Sequence, residues 1–311
     1  MISVICPVYN EEKHMDRVLD FFSRAKPYNK ELLVVDGGST DKTVSIFKKW
    51  EANPGMRLLH NPKRFVPFAL NQAIGVAKGD IIVRIDAHSD YEDDYFEKIL
   101  ETFAKTGADI VGGPMRTVYL SNTQEAVAYA TCTPFAIGDS KIHQVNYEGY
   151  TDSVTYGSWR KQIFSVTGLF DETLKRNQDD EFHYRARNFG FSIYQSPAIK
   201  LYYYPRNTFK ALFKQYYEYG LFKPLVLKKV NSGLQWRHLV PAAFVLYIVS
   251  LVIAIKYPSW LIPLAVYLLA DVVFTIKSRR SIAVMCRIFF VYPVIHFAYG
   301  IGFISGLKKI F

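Results

Sequence analysis

Asp86-Ala87-His88 ends an apolar run, Ile81-Ile82-Val83-Arg84-Ile85, and sets a carboxylate and an imidazole two residues apart. Side chains at i and i+2 of an extended segment project the same way, so Asp86 and His88 can share one cation. That pair suits Mn²⁺ or Mg²⁺, an ion that keeps open positions for the oxygens of a diphosphate. Turn chemistry is the plainer alternative, with Asp86 capping a turn and His88 a surface histidine. A second acidic cluster, Asn177-Gln178-Asp179-Asp180-Glu181-Phe182, offers a general base, because a carboxylate beside apolar or anionic groups can reach the raised pKa that proton abstraction needs. Glu181 and Arg185, at i and i+4, fit a structural ion pair instead.

These residues need strands and helices to position them. Residues 2–6, 31–36, 56–60, 81–86 and 110–112 read as strands, and 11–24, 41–51, 67–77 and 93–103 as the helices between them. The alternation predicts an α/β fold with a mostly parallel, doubly wound sheet and right-handed crossovers. Ligands collect at the carboxyl ends of such strands, where Asp86 and His88 fall. The first strand runs into Pro7-Val8-Tyr9-Asn10-Glu11-Glu12 and the second into Asp36-Gly37-Gly38-Ser39-Thr40-Asp41. Gly37 and Gly38 permit positive φ, and residues 39–41 can cap the next helix and offer amides to an anion. Either segment alone is also ordinary loop chemistry.

A chain of 311 residues allows about two domains, and 50% hydrophobic residues supply ample core, which excludes a disordered protein. The net charge of +10 points to a negative partner or surface. Three scattered cysteines, Cys6, Cys132 and Cys286, suggest no disulfide framework and a reducing setting. No cleavable signal peptide is expected before the first strand. Residues 206–237 carry seven Lys or Arg against one acid, Glu218, interleaved with aromatics, the pattern of a basic amphipathic helix at a membrane interface. Nucleic acid is disfavoured, because the segment adjoins an apolar tail and no nucleic-acid-binding signature accompanies it. Residues 239–255 and 261–276 read as a transmembrane hairpin, with Asp271 inside it expected to be paired or functional. Lys277, Arg279 and Arg280 mark a cytosolic loop. A third apolar run, 288–307, leaves two or three spans.

The ordered set Pro7-Val8-Tyr9-Asn10-Glu11-Glu12, Asp36-Gly37-Gly38-Ser39-Thr40-Asp41-Lys42-Thr43 and Asp86-Ala87-His88 resembles the family 2 glycosyltransferases of the GT-A fold. Tyr156-Gly157-Ser158-Trp159-Arg160 and Arg176-Asn177-Gln178-Asp179-Asp180-Glu181 are similar to the succinoglycan-type enzymes that build exopolysaccharide. The resemblance covers nearly the whole chain. It implies that Pro7 and Tyr9 cradle a nucleobase, that Asp36 hydrogen-bonds it, and that Glu11 and Asn71 belong to the same nucleotide-sugar site. Asp86 matches the first acid of an Asp-x-Asp metal motif and His88 stands where the second would be, so the cation is expected to be held more weakly or selected differently. Trp159, Arg160 and Asp180 fall on the acceptor side, Trp159 as a sugar platform or equally as buried packing. Asp179 matches the catalytic base, with Gln178 in place of the usual Glu and with Asp180 and Glu181 as lesser alternatives. Gln215 and Lys223 are implied contacts to diphosphate or acceptor. Leu70 stands where relatives often carry Arg, a charge that Arg84, Lys63 or Arg64 would then supply, although a structural arginine on the strand edge is an equal reading of Arg84.

The resulting expectation is a metal-dependent, inverting hexosyltransferase anchored in the cytoplasmic membrane with its catalytic domain on the cytosolic face. It would move sugar from a nucleoside diphosphate donor, a UDP-sugar, to a lipid-linked or polysaccharide acceptor. Residues 1–205 would form the catalytic domain, divided into a nucleotide-sugar half (1–113) and an acceptor-side half (114–205). The interface region (206–237) and the membrane region (238–311) would follow. A membrane-bound nucleotidyltransferase would need a glycine-rich phosphate loop where this chain has Pro7-Val8-Tyr9-Asn10-Glu11. A non-catalytic membrane scaffold is opposed by Asp36, Asp86 and Asp179.

Overall fold

In the computed structural model, which describes residues 1–138, 140–231 and 233–310, strands and helices alternate up to residue 112 apart from two successive strands at 81–84 and 90–91. The order is β1 (Ile2–Val8), α1 (Met15–Arg24), β2 (Lys30–Asp36), α2 (Thr43–Trp50), β3 (Met56–His60), α3 (Val66–Val76), β4 (Ile81–Arg84), β5 (Asp90–Tyr91), α4 (Tyr95–Thr106) and β6 (Ile110–Gly112). Then come β7 (Met115–Thr117), α5 (Asn122–Ala130), α6 (Pro134–Ile137), β8 (Gly149–Tyr150), β9 (Ser158–Arg160), α7 (Ile163–Thr167), α8 (Gln178–Asn188), β10 (Ile193–Gln195) and β11 (Leu201–Tyr203). The α-helices of the remaining described residues are α9 (Phe209–Val230), α10 (Trp236–Val249), α11 (Ile262–Lys277) and α12 (Ile282–Leu307), with short 3-10 turns between α10 and α11.

The main sheet has the order β3-β2-β1-β4-β9-β6-β10-β8. Period-two alternation fills both of its faces. Val4, Cys6 and Val8 of β1 and Leu32 and Val34 of β2 pack with Val18, Leu19 and Phe22 of α1 and Phe96 and Ile99 of α4. Ile5, Leu33 and Val35 face the other way, toward Ala69, Leu70 and Ala73 of α3 and Phe182 and Ala186 of α8. Because helices cover both faces, β1, β2 and β4 are largely apolar along their length and legible in the sequence, whereas β8, β9 and β10 are too short to carry such a run. The sheet is α/β but mixed: β3, β2, β1 and β4 are parallel, whereas β9 runs antiparallel to both β4 and β6. Tyr156 (φ 58°) and Gly157 (φ 79°) adopt left-handed backbone conformations and turn the chain into β9. A side chain at Gly157 would strike the Trp159 ring.

Two compact units result, Met1–Arg116 with Gln144–Tyr203, and Thr117–His143 with Tyr204–Phe311. Residues 117–143, expected in the acceptor-side half, therefore group with the C-terminal helices. The reason is apolar: Ala126, Val127 and Ala130 of α5 pack with Leu212 of α9 and with Val284, Ile288 and Tyr292 of α12.

Within this second unit, residues 236–255, 258–277 and 282–307 form three helical stretches long and apolar enough to cross a membrane. Helix α9 covers the basic segment, begins with the Thr208 side chain accepting the Ala211 N–H at 3.2 Å, and contains Pro224. One of its faces is occupied by protein. A Cβ at Gly302 or Gly306 of α12 would drive into the Tyr217 or Leu221 carbonyl of α9, and one at Gly220 into Tyr299. Such small-residue approach is the packing device of membrane helices, and it explains the glycines of the last apolar run. Asp271 is buried, and its Oδ1 accepts from Thr275 Oγ1 at 3.2 Å.

Candidate active site

The carboxyl ends of β1, β2 and β4 lie side by side, with Val8 paired to Asp36 and Ile5 to Arg84. Strand order reverses at β1, so the segments leaving these three strands border one crevice. The first two segments are laced together. Asn10 Oδ1 accepts the Thr40 N–H at 2.8 Å, the Asn10 N–H donates to Ser39 Oγ at 2.9 Å, and the Glu11 N–H donates to Thr43 Oγ1 at 2.7 Å. Glu12 Oε2 accepts from the Lys42 N–H at 3.1 Å, and the Glu12 N–H donates to Asp41 Oδ2 at 3.0 Å. Asp36, buried at the tip of β2, accepts the Gly38 and Ser39 N–H groups at 3.0 and 3.2 Å. Of the amides at 39–41 expected to meet an anion, those of Ser39 and Thr40 are thus spoken for internally. These loop residues hold Tyr9, Glu11 and Asp36 in place.

Asp86 is held through both its carboxylate and its main chain. Arg84 Nε donates to its Oδ1 at 3.0 Å and Arg84 Nη2 to its Oδ2 at 3.2 Å. The Asp86 N–H donates to Tyr91 Oη at 2.7 Å, and the Tyr91 O–H donates to the Asp86 carbonyl at 3.2 Å. Burial alone would lower the Arg84 pKa, but the charges of Asp86 and Asp179 raise it above its ordinary value. The guanidinium also lies 5.3 Å from the centre of the Tyr156 ring, whose hydroxyl shares a 2.7 Å hydrogen bond with Ser89 Oγ. Burial, with the Asp86 charge, pushes the Tyr156 phenol well above its usual range and keeps it neutral. Arg84 is therefore engaged by Asp86 rather than turned toward a phosphate.

His88 Nδ1 lies 3.1 Å from Glu11 Oε1. An ionised carboxylate only accepts, so this contact places a proton on Nδ1, the arrangement of the carboxylate–histidine pairs behind metal ligands. Among the described residues no group of three or more His, Cys, Asp or Glu side chains could hold an ion. One carboxylate and one imidazole, completed by phosphate oxygens and water, fit Mg²⁺ or Mn²⁺ arriving with a diphosphate.

Asp179 stands in the first turn of α8, behind Asn177 in a left-handed conformation (φ 59°), and accepts the Asp180 N–H at 3.0 Å. The helix N-terminus favours negative charge there. Glu181 forms a two-pronged ion pair with Arg185, at 2.6 and 2.8 Å, and Arg185 also binds the Leu169 carbonyl at 2.8 Å, so Glu181 is structural. His183, one turn after Asp179 and only 1% exposed, was not singled out in the sequence. Its Nδ1 shares a 2.8 Å hydrogen bond with Ser153 Oγ, while its Nε2 has no hydrogen-bond partner among the described residues. Burial lowers its pKa despite the charges of Asp179, Asp180 and Asp152, so the ring is neutral.

Three expected contacts are placed elsewhere. Trp159 is 1% exposed, boxed by Phe164, Phe170 and Phe182, and offers no face to a sugar. Arg160 binds the Ala108 and Phe103 carbonyls at 3.1 and 3.3 Å, which ties it to the scaffold. Asn71 spends its amide on Phe170, donating to its carbonyl and accepting its N–H, both at 2.9 Å, and so clamps the 170 loop. Leu70 is wholly buried. Arg64 stacks 4.4 Å from the exposed Tyr9 ring, and Lys63 lies over Phe68. Pro7 is half-buried at the end of β1. Asp180 is half-buried beside Asp179. Gln215 donates to Tyr219 Oη at 2.9 Å along α9, and Lys223 is buried; both belong to the second unit.

A crevice with Asp36 and Asp86 at the ends of parallel strands is a nucleotide-site geometry, and the family model described as Glycosyl transferase family 2 matches residues 3–167. The chain belongs to this family. It is a family 2 glycosyltransferase with the GT-A fold. Succinoglycan biosynthesis protein ExoA of Rhizobium meliloti is 34% identical over 222 residues, covering 70% of this chain and 67% of the relative. A Methanococcus voltae enzyme named dolichyl N-acetyl-alpha-D-glucosaminyl phosphate 3-beta-D-2,3-diacetamido-2,3-dideoxy-beta-D-glucuronosyltransferase is 29% identical over 99% of this chain and 97% of its own. In fold, the glycosyltransferase is similar to the mannosyltransferase PcManGT of Pyrobaculum calidifontis, solved with GDP-Man and Mn²⁺. The TM-score is 0.65 at 17% identity, over 99% of this chain and 87% of that one. It is also similar to S. aureus TarS 1-349 with UDP-GlcNAc, with a TM-score of 0.53 at 16% identity, over 99% and 92% of the two chains.

Proposed function

We propose that this glycosyltransferase moves a hexosyl unit, with inversion, from a nucleoside diphosphate sugar to a lipid-linked or polysaccharide acceptor in cell-surface glycan assembly. A UDP-sugar is the donor we favour. One observation carries the reading: Asp86, clamped by Arg84 at the end of β4, and Asp179, at the start of α8, both act on the same buried guanidinium. A donor-side carboxylate and an acceptor-side carboxylate around one crevice is what a single displacement needs. In that displacement the acceptor oxygen bonds to the anomeric carbon, the bond from that carbon to the diphosphate breaks, and Asp179 takes the acceptor proton. Pro7, Tyr9 and Asp36 hold the nucleobase, and Glu11 fixes the imidazole of His88. A divalent cation on Asp86 and His88, Mn²⁺ or Mg²⁺, would neutralise the diphosphate.

The acceptor class is supported by the dolichyl phosphate in the name of the Methanococcus voltae relative, and by three apolar helices that associate the enzyme with a membrane. Lys277, Arg279 and Arg280, after the second of these, favour a cytosolic catalytic unit. Thermal unfolding of the full chain in detergent, with a panel of nucleotide sugars, with and without Mn²⁺, tests the donor. At least one donor should raise the midpoint in Mn²⁺ and lose that effect in chelator. If none stabilises the protein under either condition, the proposal fails.

A further inference from the structure

We infer that Arg84 is a positioning residue for the donor: it fixes the Asp86 carboxylate in the one orientation that serves a cation-bound diphosphate. This inference rests on the proposed function and concerns a residue outside the motif that implied it.

A guanidinium on a central strand is costly to bury unless its charge and donors are met. Arg84 has a side chain only 8% exposed, and what meets it is Asp86. Residues 84 and 86 are i and i+2 on an extended segment, so the two side chains leave the sheet on the same face. The fork engages both carboxylate oxygens, at 3.0 and 3.2 Å, which fixes the plane of the carboxylate as a single ammonium would not. Tyr91 holds the Asp86 main chain through its N–H and its carbonyl, so neither backbone nor side chain can swing. Each carboxylate oxygen has two lone-pair sites, and one bond to Arg84 leaves a second for a ligand.

The support for Arg84 is itself unusual. Tyr156, whose ring faces the guanidinium, stands at φ 58°, a conformation that bulky residues rarely adopt and that the surroundings must impose. Its hydroxyl is tied to the buried Ser89, two residues beyond Ala87, and the Arg84 N–H donates to the Gly157 carbonyl at 3.3 Å. The strained turn before β9 thus braces Arg84, and Arg84 braces Asp86. With His88 adding no negative charge, Asp86 is the one acid of the metal motif, and its orientation carries correspondingly more weight.

The test compares the affinity of UDP, or of GDP where UDP does not bind, in Mn²⁺ and in chelator by calorimetry on the full chain. The readout is the ratio of the two dissociation constants. Arg84→Lys keeps the charge and loses the fork; it should cut that ratio about tenfold, the scale of losing a partner of a metal ligand, with the affinity in chelator nearly unchanged. Because an Arg84 change can disturb folding, Arg84→Met is made on Asp86→Asn, which leaves no buried charge unpaired. That pair should show the ratio of Asp86→Asn alone. The role of Arg84 is overturned if Arg84→Lys leaves the ratio intact while Asp86→Asn collapses it, or if affinities with and without Mn²⁺ fall together. An intact ratio in Asp86→Asn overturns the cation assignment and this inference with it, as does failure of both nucleotides to bind.

Discussion

The two acids proposed to serve donor and acceptor are held in opposite ways. Asp86, at the end of β4, is gripped by both prongs of Arg84 and flanked by Tyr91. Asp179, at the start of α8, accepts one N–H from its neighbour Asp180 and lies among groups that tune charge rather than geometry: the helix N-terminus, neutral His183 and, through the field, Arg84. A ligand to diphosphate and cation must hold its position through the whole cycle. A base must change its protonation state and follow the acceptor hydroxyl. The contrast teaches that anchoring, more than residue type, separates the two carboxylates.

The largest effect should come from the loosely held side. Asp179→Asn should lower turnover by about 10²- to 10⁴-fold, the usual cost of losing a general base, with donor affinity within a few-fold of the parent. Steady-state kinetics beside nucleotide calorimetry check it; a parallel loss of donor affinity would place Asp179 with Asp86 and erase the contrast. On the anchored side the effect should be smaller and fall on the cation. His88→Ala should raise the Mn²⁺ concentration needed for half-maximal rate by about 10- to 100-fold, whereas His88→Asp, which restores a second acid, should raise it far less. Equal effects, or full activity in excess chelator, would remove His88 from the cation site.

Much of this was legible because the physics is local. The apolar runs of β1, β2 and β4 are buried on both faces and betray themselves by composition alone. The Glu181–Arg185 pair followed from helix spacing. The i, i+2 rule holds for Arg84 and Asp86, so the strongest contact of the site was readable, although the sequence alone fits Arg84 equally to a phosphate contact and to a structural role. It does not hold for Asp86 and His88, because residues 86–89 form a turn in which the Ser89 N–H donates to the Asp86 carbonyl at 3.2 Å. Other features depend on partners far along the chain. Asn71 meets Phe170, Glu11 meets His88, and His183 meets Ser153, separations that carry no periodic signal. Trp159 is boxed by aromatics from α7, α8 and the loop between them. The grouping of residues 117–143 with the C-terminal helices was hidden for the same reason, since α5 finds its apolar partners far along the chain, in α9 and α12.

The smallest predicted effect sharpens the acceptor side. His183 has a folded pKa below its unfolded value near 6.5. The unfolded chain therefore binds this proton first, and the stability contributed by the neutral ring is present above about pH 6.5 and is lost as pH falls below it. Thermal midpoints of the parent should drop on that acid side more steeply than those of His183→Gln. Matching slopes would show that His183 does not titrate on unfolding and carries none of the acid sensitivity.

The stereochemistry of transfer tests the central claim most directly, because the proposed base Asp179, acting once on the acceptor oxygen, specifies one displacement and no covalent glycosyl intermediate. The donor identified by thermal shift is supplied with membrane glycolipid acceptor, and the anomeric coupling of the new linkage is read by NMR. Inversion relative to the donor is the predicted result. Retention would contradict the account.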